Sequence, residues 1–125
     1  MGLSAIVAAS SQQANLLAAN VSPNNQARLI MNGMMGEINA LSATTDHADQ
    51  LKIMAQINFM FNQLNGMANS LQMLHGISAS LFIGAVNNPL YMLGLYLGGS
   101  NEQDEIHMEC NNANGAINNF LQYLS

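Results

Sequence analysis

Between residues 47 and 84 the apolar positions fall in a regular rhythm. Ile53, Ile57, Met60, Leu64, Met67, Leu71 and Leu74 are spaced alternately four and three apart, and Leu81 continues the series after one interruption at Ser78. That spacing predicts a helix with one buried seam. A flanking column of Met54, Phe61, Ala68 and Phe82 widens the seam into a face. The far side carries the amides Asn58, Asn62, Asn65, Asn69 and Gln72, where an ordinary soluble helix would carry Glu and Lys. A stripe this broad suits a bundle or a protein interface better than an isolated two-stranded coil. The pattern predicts one long central helix, with Gly66 and Gly76 as its bending points.

The same reading places four more helices around it. Residues 3–20 form a first helix with Leu3, Val7, Leu17 and Val21 on its inner side. Ser22-Pro23 is a helix start, with Ser as the cap and Pro in the first turn. A second helix from about residue 24 to 41 repeats the rhythm at Ala27, Met31, Met34, Ile38 and Leu41. Its Gly33 and Gly36 each cost about 1 kcal/mol against Ala and would let another helix approach closely. Thr45 or Asp46 caps the central helix. Asn87-Asn88-Pro89 ends it and starts a short apolar helix over residues 90–97, closed by Gly98-Gly99. Residues 100–110 read as a solvated acidic loop. Asn111 or Asn112 caps a last helix, with Ala116, Ile117, Phe120, Leu121 and Leu124 on its apolar face. No strand-like alternation appears. The expectation is an all-α protein: a five-helix bundle with one long central helix, a single domain over residues 1–125, and dimeric.

Composition sharpens the picture. Half of the chain is apolar, but only 7% is charged, against about 25% in an average soluble domain. Arg28 and Lys52 are the only Arg or Lys, and the formal net charge is −5. So few cations exclude phosphate-driven nucleic-acid binding and weigh against anionic membranes. An uncharged amide surface repels copies of itself weakly and so permits self-association. Ten Met and no Trp give a soft, adaptable core. Phe59 and Met73 add apolar area off the main seam, and that excess favours a partner chain. No basic segment precedes the short apolar stretch at residues 3–9, so no secretory signal is visible.

Candidate chemistry is sparse. Cys110 stands alone, so it is either an inert thiol or a link between two chains. His107, Cys110 and Glu105 or Glu109 lack the spacing of a closed zinc site, so neither metal nor cofactor is expected. His75 reads as a structural residue and His47 as a solvated one. There is no Gly-x-Ser-x-Gly elbow and no Gly-rich phosphate loop. An enzyme is not expected. Residues 81–99 approach the length of a membrane span, but Asn87-Asn88-Pro89 in the middle favours a buried hairpin or an interface.

Small, Met-rich helical domains with abundant Ser, Asn and Gln and almost no Lys resemble the terminal domains of spider silk proteins. Ser22-Pro23, followed after four residues by Arg28-Leu29, is similar to the first main helix of the C-terminal silk domain. Leu71-Gln72-Met73-Leu74, with Ile77 and Leu81, is similar to its central helix. Residues 52–68, with Phe61 and Met67, are similar to the third helix of the N-terminal domain. The C-terminal likeness is the better one. It implies a secreted, non-enzymatic, dimerising domain that controls solubility and fibre formation. It also implies a salt bridge from Arg28 to the central helix, where Asn69 and Ser70 stand instead of an acid, and an inter-chain thiol to which Cys110 is the only counterpart. The expected contacts are Ile53, Ile57, Met60, Phe61, Leu64, Met67, Leu71 and Leu74, with Leu90, Leu93 and Leu97 at a partner surface formed by a second copy. The other expectation is a helical subunit of a bacterial secreted filament, of the type III needle or translocator kind.

Overall fold

A computed structural model describes residues 22–125, which fold as five helices with no strand among them. The expected helix over residues 3–20 lies outside the described residues. The helices are α1 (Pro23–Ala43), α2 (His47–Gly66), α3 (Ala68–His75), α4 (Ser78–Gly98) and α5 (Gln103–Leu124). Five were expected, but they are not the same five.

α1 follows its expected pattern. Ser22 caps it by accepting from the Asn25 amide at 3.3 Å, with Pro23 in the first turn. Ala27, Met31, Met34, Ile38 and Leu41 are all fully buried. At Gly33 a Cβ would meet the end of the Met60 side chain from α2, its sulfur at 3.4 Å; at Gly36 nothing lies within 4 Å. Asp46 caps α2, its Oδ2 accepting from the Asp49 amide at 2.9 Å.

The long central helix is replaced by three segments. α2 stops at Gly66, where the Met67 amide turns back to the Leu64 carbonyl at 3.0 Å. α3 stops after eight residues at Gly76, whose backbone (φ 86, ψ −176) is open in practice only to glycine. The Gly76 amide donates to the Gln72 carbonyl at 2.7 Å, and the Gln72 side-chain amide donates to Ser80 Oγ across the turn. The seam therefore keeps its register only as far as Leu71. A new stripe begins beyond the turn at Ala79, Ile83, Val86, Leu90, Leu93 and Leu97, all buried.

Two expected boundaries are also corrected. α4 runs straight through Asn87-Asn88-Pro89, with Pro89 buried. A Pro inside a helix costs about 3 kcal/mol, but the apolar stripe holds register from Val86 to Leu90, and burying it outweighs the lost hydrogen bond. α5 begins at Gln103, not at Asn111, and takes in the acidic stretch. Asp104 and Glu105 sit in its first turn, where the helix dipole favours them. Ile106, Cys110, Ala113, Ile117, Phe120 and Leu124 form its buried stripe.

The four long helices form a ring, α1 against α2, α2 against α4, α4 against α5 and α5 against α1. Short connections make α1 and α2, and likewise α4 and α5, antiparallel neighbours. The α2–α4 pair packs least closely of the four. α3 closes one end beneath a cluster in which Phe82 stacks on Tyr123 at 4.5 Å and on Phe120 at 5.4 Å.

Gly76→Ala is expected to lower unfolding free energy by about 1–3 kcal/mol. Gly84→Ala, at an exposed helical site with free space around a new Cβ, is expected to raise it by about 0.5–1 kcal/mol. Urea titrations of the two variants check both signs.

Candidate functional site

The two ends of the bundle differ in chemistry. The α1–α2 turn and the α4–α5 turn meet at one end, where buried Gln50 donates to the Thr44 carbonyl at 3.0 Å and to Gln103 Oε1 at 2.9 Å. Asp46, Asp49, Glu102, Asp104, Glu105 and Glu109 all lie in these turns or in the first two turns of the helices that leave them. They are six of the seven acids in the chain. Glu109 is nearly buried and accepts from Asn112 Nδ2 at 3.0 Å. The hydroxyl of Tyr96 is pushed above its ordinary pKa by desolvation and by the Glu105 carboxylate it faces.

At the opposite end Arg28 Nη2 donates to the Leu124 carbonyl at 3.1 Å, and Asn24 Nδ2 donates to the same oxygen at 3.3 Å. A cation here meets the negative end of α5. The expected acid partner is replaced by a helix terminus: Asn69 and Ser70 both point to solvent. His75 Nε2 lies 2.6 Å from Asn24 Oδ1, and the Tyr123 hydroxyl donates to the His75 carbonyl at 2.6 Å. These bonds tie α3 to α1 and α5.

Cys110 is 1% exposed within the α5 stripe. Burial, with the Glu109 charge adding to it, pushes the thiol up to about 11. A link between chains would require α5 to leave the bundle, so the inter-chain thiol gives way to an inert core residue. His107 faces solvent while Cys110 faces the core. Among the described residues no group of three His, Cys, Asp or Glu is placed to hold a metal ion.

Between the acidic end and Arg28 lies a wide uncharged surface. No Asp, Glu, Lys or Arg occurs from residue 53 to residue 101. These positions supply most of α2 and all of α3 and α4. α4 is apolar and long enough to cross a membrane by length and composition, yet only 33% of its most apolar window is buried. Tyr91 and Leu95 project from it at 63% and 50% exposure. They border a cleft of about 270 Å³ between α2 and α4, lined also by Met54, Asn58, Asn87, Leu90 and Gly94. Leu51 is exposed one helical turn from Met54.

The expected contact residues divide. Ile57, Leu64, Leu71, Leu90, Leu93 and Leu97 are buried in the monomer core, so residues 90, 93 and 97 do not form a partner surface. Ile53, Met60, Phe61 and Met67 are half-buried at its edge. Leu74 is 57% exposed. The outward residues of α4, Tyr91 and Leu95, were hidden from periodicity because the helix is apolar on nearly every side. The uncharged run was the signal that could have found them.

The fold defines an all-helical bundle with an uncharged apolar flank. No family model matches the chain, and neither does any curated protein or solved structure.

At pH 8 a maleimide reagent is expected to label Cys110 about a hundred-fold more slowly in the native protein than in urea. The sign of the pH effect follows from the raised pKa. Below pH 9.0, the ordinary thiol value, stability is unaffected, and it falls as pH rises from 9.0 to about 11. Urea midpoints across that range, with Cys110→Ala as the reference, measure the loss.

Proposed function

We propose that this protein is a non-enzymatic self-assembly module that associates with a second copy of itself through the uncharged flank of α2 and α4. One observation carries the reading: α4, the most apolar of the described helices, has only a third of its most apolar window buried inside the monomer. A large exposed apolar surface without charge marks an interaction site more often than a free surface. The cleft there offers Tyr91 as its one titratable side chain, which gives acid–base chemistry little to work with. Tyr91 and Leu95 would act as anchors, since an aromatic ring beside a cleft is a typical contact centre. The glycines Gly84, Gly94 and Gly98 are exposed along the same helix with no neighbour within 4 Å of a would-be Cβ, leaving room for a close approach.

The narrower role is control of solubility and fibre formation in a secreted structural protein, as the likeness to silk terminal domains implies. It rests on the amide-rich, nearly cation-free composition, which lets copies crowd together with little repulsion.

Light scattering on a size-exclusion column at tens of micromolar is expected to give at least twice the 13.4 kDa chain mass. Leu95→Glu, which buries a charge in the contact, is expected to weaken association at least about ten-fold. A monodisperse wild-type monomer at those concentrations would overturn the reading.

A further inference from the structure

A second apolar surface sits at the end of the bundle away from the acids. Met73, Leu74, Ile77 and Leu81 follow one another around the α3–α4 turn and are 87%, 57%, 78% and 71% exposed. Four large apolar side chains within nine positions are all outside. The turn that carries them is fixed, not loose: Gly76 holds its left-handed backbone, Gln72 reaches Ser80, and His75 is bonded to both Asn24 and Tyr123. The side chains around this tip are uncharged, and the one cation at this end, Arg28, is committed to the Leu124 carbonyl.

We infer that the tip formed by Met73, Leu74, Ile77 and Leu81 is a contact for the same tip of a second copy. This rests on the self-assembly reading and adds a second, end-on contact to it. Two observations choose the occupant. The first is area. At these exposures the four side chains present on the order of 500 Å². Two tips together would bury on the order of 1,000 Å², the threshold of a specific interface. The second is charge. Six of the seven acids are at the far end of the bundle. Helices of about twenty residues span roughly 30 Å, so tip-to-tip docking holds the two acidic ends on the order of 60 Å apart, far beyond the roughly 8 Å screening length at physiological salt. Tip-to-tip contact is therefore the arrangement in which each copy's charge opposes association least. A chain with one self-complementary contact closes as a dimer; one with two, at its tip and on its flank, can alternate them and extend into a string.

The test compares wild type, Met73→Gln/Ile77→Gln, Leu95→Glu and the combined variant by sedimentation velocity at tens of micromolar, with circular dichroism to confirm the fold. Both tip substitutions fall at largely exposed positions and replace apolar side chains with the amide common on neighbouring surfaces. Wild type is expected to populate species larger than a dimer, the tip variant to stop at a dimer, and the combined variant to remain a monomer. If wild type assembles and the tip variant gives the same distribution, the tip contact is overturned while flank association stands. If wild type is monomeric, both fail. Two further outcomes also overturn the tip contact by naming another occupant. One is a monomeric wild type whose melting temperature, independent of concentration, drops in the tip variant, which would mean that residues 1–21 of the same chain cover the tip. The other is a monomeric wild type that co-floats with phosphatidylcholine vesicles while the tip variant does not, which would mean lipid.

Discussion

An eight-residue helix has room to bury one side, and that limit decides the surface of this protein. α3 makes two turns between the break at Met67 and the left-handed Gly76. Leu71 is its single fully buried side chain. Had the helix continued, Leu74 and Leu81 would have stayed in the column of Ile53, Met60 and Met67, half-buried at the edge of the core. The change of direction at Gly76 instead starts a fresh stripe at Ala79 and leaves Met73, Leu74, Ile77 and Leu81 outside. The glycine conformation, a matter of one residue's backbone, thus sorts apolar residues into those that stabilise the monomer and those free to meet something else.

Charge is sorted along the same axis. The acids gather where α1 meets α2 and α4 meets α5, and Gln50 bridges those turns through Gln103. Asp46 caps α2, while Asp104 and Glu105 face the positive end of α5. The helix termini therefore offset part of the mutual repulsion among these carboxylates. The result is a bundle with an acidic end, an apolar end and an uncharged flank. A net charge of −5 concentrated at one end keeps copies apart only in orientations that bring those ends together. It selects among modes of association without preventing association as such.

Much of the fold was legible in the sequence. The α1 stripe from Ala27 to Leu41, the Ser22 and Asp46 caps and the Gly98-Gly99 stop were all readable, because each is a local rule acting on a few neighbouring residues. What escaped was decided by competition between rules. Asn87-Asn88-Pro89 carries strong breaker chemistry, and only the register of Val86, Leu90 and Leu93 on either side shows that the helix persists. Residues 103–110 look solvated by composition, yet Ile106 and Cys110 already keep time with Ala113 and Ile117. In both places a period across the segment outweighed the local signal. The candidate surface was less readable. Leu90, Leu93 and Leu97 stood out by apolar character, but in a helix as uniformly apolar as α4 the inside and outside residues differ only by which neighbour they face. That is set by α2 and α5, not by α4 itself.

The weak α2–α4 contact is the counterpart of that ambiguity. A helix with a sharp apolar stripe has one good orientation, whereas α4 would lose little by turning another side inward. Its orientation is held by the stripe that packs on α5 and by the Phe82 cluster with Phe120 and Tyr123. Once those contacts are made, Tyr91 and Leu95 have to lie outward beside Met54 and Asn58. The apolar residues left at the surface are therefore not a failure of burial. They follow from a ring of four helices in which one pair is left open, with the uncharged amides Asn58 and Asn87 at the opening.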